Sequence, residues 1–377
     1  MKRKHLREIV DIQTGPFGSQ LHKEDYVNIG TPIVTVEHLG KRIFTEQNLP
    51  HVSEQDRNRL DKYILRTGDI VFSRVGSVDR CSFVDSEHDG WMFSGRCLRV
   101  RPTDEIYPLY LYYFFCLEET KRFVRNIAVG ATMPSINTKL LGEVEVIFPH
   151  KHIQAQIASV LSAIDSKIET NEKINDNLLQ QASAIYQAWF EDFILTDGSY
   201  PSTWRQGILA DIANITSGKR PLVKSTERTD TAFIPLVGAA SIMGFTSEAN
   251  HTDKVLVTGR VGTHGVVQRF NSPCWASDNT LVITSDLYEY TYQILQRIDY
   301  SSMNRGSTQP LITQGDMNKV SILIPDKETL NNFETLVGQL MEQYQANSLE
   351  NKKLVELRDA LLPKLMSGEL DVSDLDL

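Results

Sequence analysis

Long apolar runs are absent from this sequence, since none approaches the roughly 18 residues that a membrane span needs. The N-terminal segment MKRKHLREIV is basic and lacks the apolar core of a secretion signal. A content of 41% hydrophobic and 23% charged residues is typical of soluble globular proteins. We therefore expect a cytoplasmic location and no association with a membrane.

Cysteine is also scarce, with four residues in a chain of 377. The positions of Cys81, Cys97, Cys116 and Cys274 give neither the paired spacing of a zinc site nor a disulfide framework. We interpret these cysteines as ordinary core residues, and the sequence predicts no metal site.

Phosphate-binding and acid-base motifs are incomplete. The segment Ser217-Gly218-Lys219 resembles the end of a phosphate-binding loop, but such a loop requires Gly where Ala213 stands and Ser or Thr where Arg220 stands. We interpret it as a turn. Four polar residues at or near a predicted helix start have no paired acid or ligand cluster beside them. We expect these four side chains to face solvent: Asp165, Lys167, His150 and His152.

The net charge of −9 at pH 7 does not favour a nucleic-acid partner, because duplex DNA is bound largely through Lys and Arg that neutralise phosphates. The acidic excess lies in segments 151–200 and 326–377, however, whereas segments 1–150 and 201–325 are nearly neutral. Each neutral segment can present one basic face. The charge distribution therefore permits DNA binding without demonstrating it.

The chain repeats itself, and the repeat constrains its architecture more than any single motif does. LREIVDIQTG near the N-terminus returns as LADIANITSG, and SRVGSV from Ser73 returns as GRVGTHG from Gly259. The segments that begin at Gly130 and Gly306 share seven identities in 22 positions. The offset between the copies falls from 203 to 176 residues along the repeat, so the second copy has lost 27 residues while its framework persists.

Both copies contain short β-branched and aromatic runs separated by Gly, Pro, Asn and Asp, such as DIVFSRVG and KVLVTGRVG. This pattern predicts two mixed, mostly β domains with a few short helices, and an α+β fold class. We place the first domain at 1–150 and the second at 196–325. Helical segments are expected at 151–195 and at 326–377, the latter with a C-terminal tail.

After Pro149 the apolar residues change to helical spacing, in steps that alternate between four and three, as in the seam of a coiled coil. A segment with the same spacing lies 176 residues later, and two asparagines interrupt both seams at matching positions. The predicted seam residues are Ile157, Leu161, Ile164, Ile168, Asn171, Asn175 and Leu178 in the first helix, and Phe333, Val337, Leu340, Tyr344, Asn347, Asn351 and Leu354 in the second.

A lone amphipathic helix more often belongs to a core than to a coiled coil, but two matching seams in one chain can pair with each other. We predict an antiparallel, intramolecular coiled coil in which the asparagines set the register. The first helix should end near Phe193, and Pro363 should stop or kink the second. A helix over 152–190 would be roughly 58 Å long. The helix pair would place one domain at each of its ends, related by pseudo-twofold symmetry. It would be long enough to hold the domains on DNA half-sites about 34 Å apart, or a multiple of that distance.

In these features the chain resembles the specificity subunits of type I restriction-modification systems over essentially its whole length. The segments that carry the resemblance are TGPFGSQLHKEDY in the first half, VLVTGRVGTHG and WASDNTLVI in the second, MPSIN and QPLIT before a strand that ends in Pro, and the terminal LRDALLPKLMSGEL.

The resemblance implies two target recognition domains, each reading one half of an interrupted double-stranded DNA sequence, and two helical regions that bind methyltransferase subunits. It implies a non-catalytic chain without a cofactor of its own. Two modification subunits with S-adenosylmethionine would methylate adenine, and restriction subunits with ATP and Mg²⁺ would translocate and cleave DNA. The sequence also lacks the Gly-rich cofactor motif and the Pro-Pro-aromatic motif of adenine methyltransferases.

Contact residues do not transfer well within this family, so the candidate DNA-binding residues follow from side-chain chemistry. Arg and Lys bind guanine or phosphate, Asn and Gln suit adenine, and Gly-flanked loops permit close approach of the backbone. A structural or solvated role is the alternative for each candidate. In the first domain the candidates are Ser19, Lys23, Arg74, Arg96 and Thr132. In the second domain they are Lys219, Arg220, Arg260, His264, Asn279, Arg305 and Gln309.

Two other functions stay open. One is the recognition module of a fused, type II-like DNA methyltransferase/endonuclease system, which would bind cofactor when purified. The other is a scaffold whose coiled coil organises partner proteins, which would show no sequence-selective DNA binding.

Overall fold

The computed structural model describes residues 1–196, 198–199, 201–303 and 311–372, and the chain forms two compact units. The first unit consists of Met1–Asn171 and Leu349–Leu377, and the second of Glu172–Ser348. Two long helices each contribute one part to the first unit and another part to the second. Each unit is described separately below.

The first unit combines short strands and helices in sheets ordered β2-β9-β6-β7, β3-β5-β4-β8 and β1-β10. The β2-β9-β6-β7 sheet is antiparallel throughout, whereas β4 and β8 pair in parallel. The strands are β1 Lys2–His5, β2 Val10–Thr14, β3 Tyr26–Val27, β4 Thr31–Val34, β5 His51–Val52, β6 Ile70–Ser73, β7 Cys81–Phe83, β8 Met92–Phe93, β9 Cys97–Pro102 and β10 Glu145–Phe148. The helices are α1 Leu6–Ile9, α2 Glu54–Arg59, α3 Pro108–Cys116, α4 Glu118–Ile127, α5 Thr138–Gly142, the first part of α6 Lys151–Phe190 and the last part of α9 Lys327–Ser367.

The second unit repeats this pairing in sheets ordered β12-β18-β15-β16, β14-β13-β17 and β11-β19, including a parallel pair between β13 and β17. The strands are β11 Arg205–Ile208, β12 Asn214–Ser217, β13 Ile234–Val237, β14 Ile242–Thr246, β15 Val255–Gly259, β16 Gln268–Phe270, β17 Trp275–Ala276, β18 Thr280–Thr284 and β19 Ser321–Ile324. The helices are the rest of α6, α7 Tyr288–Arg297, α8 Gln314–Asn318 and the first part of α9 Lys327–Ser367. Short 3₁₀ helices in the two units span Lys23–Asp25, Val36–His38, Asp61–Tyr63, Ile194–Thr196 and Leu209–Asp211.

Apolar burial fixes the helices of the first unit against its sheet, because removing apolar surface from water is favourable. Phe72 of β6 and Phe115 of α3 meet edge to face, with ring centroids 4.6 Å apart. Ile157 and Leu161 of α6 join the same core, together with Leu365 of α9. The helix pair of this unit is therefore part of the domain core.

The core of the second unit is richer in aromatic contacts between helices. The ring of Phe190 in α6 lies 5.0 Å from that of Phe333 in α9 and 4.9 Å from that of Tyr290 in α7, measured between centroids. The hydroxyl of Tyr290 donates to the carbonyl of Leu323 at 2.6 Å. These contacts tie both long helices to β19.

The two long helices pair antiparallel, as predicted, and matched asparagines bond across each pair. In the first unit Nδ2 of Asn171 donates to Oδ1 of Asn351 at 2.8 Å, and Nδ2 of Asn351 donates to the carbonyl of Ile168 at 3.1 Å. In the second unit Nδ2 of Asn347 donates to Oδ1 of Asn175 at 3.0 Å. Every residue predicted for the seam is buried or half-buried. The asparagines thus bond across the helix contact in both units, one amide donating to another in each.

Pro363 does not stop the second helix, which was one expectation from the sequence. The helix continues through Pro363 to Ser367. Leu362 and Leu365, on either side of the proline, are buried in the core of the first unit. Their burial favours a continued helix even though a proline inside a helix removes one backbone hydrogen bond.

Asp165 is buried in the first unit, so the prediction that it faces solvent is wrong. Its Oδ2 accepts from the hydroxyl of Tyr113 at 2.7 Å, and its Oδ1 accepts from Nη1 of Arg358 at 2.9 Å. Burial, and then the charge of Asp165, raises the pKa of Tyr113. Burial alone would lower the pKa of Arg358, but its hydrogen bonds to carboxylates raise it. The other three side chains are exposed, as expected: His150, His152 and Lys167.

The four cysteines are free thiols, in agreement with the interpretation as core residues. Cys81, Cys97 and Cys274 are buried, and Cys116 is half-buried. Burial raises the pKa of Cys97 to about 12, so this thiol is neutral at physiological pH.

Candidate nucleic-acid interface

Loops of the first unit meet at one end of the β2-β9-β6-β7 sheet. Because β2 and β6 both run antiparallel to β9, the residues that follow β2 and β6 lie beside those that precede β9. The N–H of Gly15 donates to the carbonyl of Cys97 at 3.2 Å, and the N–H of Arg74 donates to that of Arg96 at 2.8 Å. A fourth loop joins them, since the N–H of Ile136 donates to the carbonyl of Arg74 at 2.9 Å. We call this group the first loop cluster, residues 14–19, 73–77, 94–96 and 129–136.

Two glycines permit the close approach of these loops. A β-carbon on Gly15 would overlap the carbonyl oxygen of Ser94, and one on Gly95 would overlap the carbonyl oxygen of Pro16. Any larger residue at either position would force the loops apart. The glycines of the TGPFGS and SGR segments therefore hold the first loop cluster together.

The first loop cluster presents two arginines. Arg74 is half-buried, its Nη1 donates to the carbonyl of Gly95 at 3.2 Å, and its guanidinium carbon lies 5.9 Å from the ring centroid of Phe17. Arg96 is exposed. The ring and the carbonyl orient the guanidinium of Arg74 while leaving donors available to a ligand.

The charges of these loop arginines are not neutralised, unlike those of the neighbouring strand. Arg99 of β9 pairs with Asp11, and Arg101 pairs with Asp69 at 2.7 Å. Within the described residues, neither Arg74 nor Arg96 forms an ion pair with a carboxylate. The loop end of the sheet therefore carries free positive charge, which attracts an anionic partner.

The other candidates of the first domain divide into two groups. Ser19 and Thr132 are exposed and belong to the first loop cluster. Lys23 is exposed at the start of the 3₁₀ helix Lys23–Asp25, outside the cluster. Four of the five candidates thus lie on loops of the first loop cluster, although they are separated by up to 113 positions in the sequence.

The second unit builds an equivalent group of loops with the same backbone bonds. The N–H of Gly218 donates to the carbonyl of Thr280 at 3.1 Å, and the N–H of Arg260 donates to that of Asn279 at 2.8 Å. The N–H of Ile312 donates to the carbonyl of Arg260 at 3.0 Å. We call this group the second loop cluster, residues 217–222, 259–264, 277–279 and 311–312. Ser217 is the last residue of β12, and Gly218 and Lys219 begin the loop that follows it, so this segment is not the separate turn expected from the sequence.

Lys219 and Arg220 are exposed in the second loop cluster, and Asn279 is exposed beside them. Arg260 is half-buried, and like Arg74 it pairs with no carboxylate among the residues that the structure describes. The ring of His264 makes a 3.1 Å hydrogen bond to the carbonyl of Gly259, so this side chain shapes the loop. The remaining two candidates lie outside the described residues: Arg305 and Gln309.

Positive charge in the second loop cluster affects a nearby histidine. Burial, and then the charge of Lys219, lowers the pKa of His251. His251 is therefore neutral at physiological pH, and the local positive charge is carried by Lys and Arg.

Two aromatic residues at the clusters were not among the candidates from the sequence. Phe17 is 56% exposed beside Arg74. Trp275 is half-buried, and its Nε1 donates to the carbonyl of Lys219 at 2.7 Å. The sequence does contain an indication that Phe17 is exposed, because Pro16 and Gly18 on either side of it favour a surface loop.

Metal-ligating residues do not gather anywhere in the described part of the chain, where no group of three or more His, Cys, Asp or Glu is placed to hold an ion. Among the same residues, no helix is both long and apolar enough to cross a membrane.

The fold matches that of a solved specificity subunit. The crystal structure of the S subunit of a type I restriction-modification system from M. genitalium superposes with a TM-score of 0.60 at 19% identity, covering 97% of this chain and 95% of that chain. This likeness confirms the predicted α+β class, with two mixed, mostly β domains and two long helices.

The sequence places the chain in the same class of proteins. A sequence model of the type I restriction modification DNA specificity domain matches residues 1–180 and 201–359, one match on each copy of the repeat. The chain belongs to this family, which confirms the resemblance. The HindI specificity subunit of Haemophilus influenzae is 24% identical over 82% of this chain and 88% of that protein. The MjaIX specificity subunit of Methanocaldococcus jannaschii is 28% identical over 73% of this chain and 72% of that protein.

Proposed function

We propose that this chain is the DNA-reading specificity subunit of a type I restriction-modification complex. It binds a bipartite double-stranded target through its two loop clusters, one half-site for each unit, and directs adenine methylation and cleavage by partner subunits. The observation that carries this proposal is the repetition of one loop cluster in both units, each with arginines that no carboxylate of the described residues neutralises. Unpaired guanidinium groups on loops suit phosphate oxygens and guanine edges.

The chain is proposed to do no chemistry itself. The loop clusters contain Arg, Lys, Ser and Asn side chains suited to binding, and the two family matches cover domains named for DNA specificity. Two modification subunits with S-adenosylmethionine would bind the helical regions and methylate adenine, and restriction subunits with ATP and Mg²⁺ would move and cut the DNA. Incubating the pure chain with labelled S-adenosylmethionine and target DNA tests this division, since methyl transfer without a partner would contradict it.

The assignment of one half-site to each unit is tested with Lys219→Ala/Arg220→Ala, studied in complex with the modification subunits. Both side chains are exposed in the second loop cluster, so the unit should still fold. Binding to the target should weaken about tenfold, or the methylated motif should relax, only through the half-site of the second unit. The measurement is sequencing of methylated adenines together with DNA-binding titrations.

The matched control is Lys319→Ala/Lys327→Ala, which removes the same charge from exposed positions of the second unit outside the loop cluster. It should leave the motif and the affinity unchanged. Relaxation of both half-sites in the Lys219→Ala/Arg220→Ala complex would show that the units do not read DNA independently.

A further inference from the structure

The two loop clusters agree at one charged position and differ at the others. Arg74 and Arg260 occupy the same place. The N–H of each donates to the residue before the neighbouring strand, β9 or β18, and the carbonyl of each accepts from an isoleucine of the fourth loop. By the same bonds Arg96 is equivalent to Asn279. By the 203-residue offset of the repeat, Phe17 is equivalent to Arg220.

The backbone around the shared arginine is also the same. Two residues after each arginine stands a glycine with positive φ, Gly76 at 77° and Gly262 at 85°. A β-carbon at either glycine would meet no atom of the described residues within 4 Å, so within this part of the chain both loop tips are open to an approaching partner. Both units therefore present an Arg-Val-Gly tip of the same shape.

A residue that is identical in two reading surfaces cannot account for a difference between the sequences that they read. A phosphate group is the same at every position of a DNA strand, and contacts to phosphate fix the register of a protein without carrying sequence information. We propose that Arg74 and Arg260 each bind a phosphate of the DNA backbone, and that bases are read at the positions where the clusters differ, by Phe17 and Arg96 in the first unit and by Arg220 and Asn279 in the second. This inference rests on the proposed function.

The test uses the full complex with modification subunits and the variants Arg74→Ala and Arg260→Ala. Affinity is measured for the target duplex and for a duplex with both half-sites scrambled, over a series of salt concentrations. Each variant should bind both duplexes about tenfold more weakly, and the log-log dependence of affinity on salt should become shallower by about 1. The methylated motif in cells should stay as in the wild type.

Arg74→Lys and Arg260→Lys separate a phosphate contact from a base contact and keep the test valid if an alanine variant fails to fold. Lysine still binds a phosphate as a point charge, but it does not reproduce the two parallel bonds of arginine to guanine. Both lysine variants should keep the motif and most of the affinity. The controls are Arg66→Ala and Lys254→Ala, exposed positive residues at the opposite ends of β6 and β15, which should behave as wild type.

Relaxation of one base position in the motif of an arginine variant, or unchanged binding to the scrambled duplex, would overturn the phosphate assignment. If the wild-type complex itself did not prefer the target over the scrambled duplex, the proposed function would fail instead. The two failures are therefore distinguishable in one set of titrations.

Discussion

The two units share their backbone pairing but differ in the charged groups that their long helices bury. Both have a four-stranded antiparallel sheet, a parallel strand pair and the same loop hydrogen bonds. In the first unit the long helices carry Asp165 and Arg358, whereas the 176-residue repeat places Met341 and Ala182 at the equivalent positions of the second. Met341 and Ala182 are buried in the apolar core. Strand order and apolar burial thus specify the shared fold, and the ion pair of Asp165 with Arg358 is a local feature of the long helices in one copy.

Among the substitutions that test this difference between the units, Asp165→Ala should have the largest effect on stability. The variant leaves Nη1 of the half-buried Arg358 and the buried hydroxyl of Tyr113 without their acceptor, while Nε and Nη2 of Arg358 keep their bonds to Asp359. Removing one partner of a buried ion pair destabilises a protein by about 3 kcal/mol. Urea denaturation should report this loss, and hydrogen exchange should show reduced protection in the first part of α6 but unchanged protection in α7 of the second unit.

The double variant Asp165→Met/Arg358→Ala copies the residues of the second unit into the first. Because an apolar pair of suitable volume often replaces a buried ion pair without loss, this variant should regain most of the stability that Asp165→Ala loses. A double variant as unstable as the single one would show that the two helix pairs are not interchangeable at this position.

Asp165 also shows where prediction from the sequence ends. The seam and the repeat could be predicted because apolar spacing and sequence matches are visible in the chain, and Gly-flanked loops indicated single candidate residues, but not the gathering of these loops into clusters. The partners of Asp165 are 52 and 193 positions away in the sequence, so no local pattern predicts that Asp165 is buried. Continuation of α9 beyond Pro363 depends likewise on packing of Leu365 in the first unit. Long-range packing therefore decides the features that local patterns leave open.

The asparagines are a polar feature that the helix pairs of the two units share, so substituting them tests a common property of both units. Replacing Asn171, Asn175, Asn347 and Asn351 by Leu should raise the free energy of unfolding by about 2 kcal/mol, since apolar residues in a seam are more stable than paired polar ones. The amides that fix the register would be gone, so dimers or shifted pairings should appear. Thermal unfolding and light scattering after size exclusion measure the two effects.

A matched control is Asn347→Ala alone. It leaves Oδ1 of Asn175 without its donor inside the second unit, so it should lower stability by about 1 kcal/mol without producing dimers. A monomeric, correctly paired quadruple variant would mean that apolar packing alone sets the register.

The smallest expected difference concerns the N-termini of α3 and α7, which the two units cap with different groups. In the first unit Oε1 of Gln154, a neutral amide, accepts from the N–H of Tyr107 at 2.7 Å. In the second unit the carboxylate of Glu334 accepts from the N–H groups of Tyr290 at 2.8 Å and Glu289 at 3.1 Å. Only the second cap can gain or lose charge with pH.

Burial raises the pKa of Glu334 above its usual 4.5, against the effect of its backbone hydrogen bonds. The stability that Glu334 contributes is therefore fully present below its unfolded pKa and is lost as pH rises through the higher folded pKa. Glu334→Gln still accepts a hydrogen bond but cannot ionise, so its stability relative to wild type should increase as the pH rises through the folded pKa of Glu334. The mirror variant Gln154→Glu, which places a carboxyl at a buried position of the first unit, should lose stability as the pH rises. Urea denaturation at several pH values measures both, and a difference between Glu334→Gln and wild type that does not change with pH would show that burial does not control the ionisation of this cap.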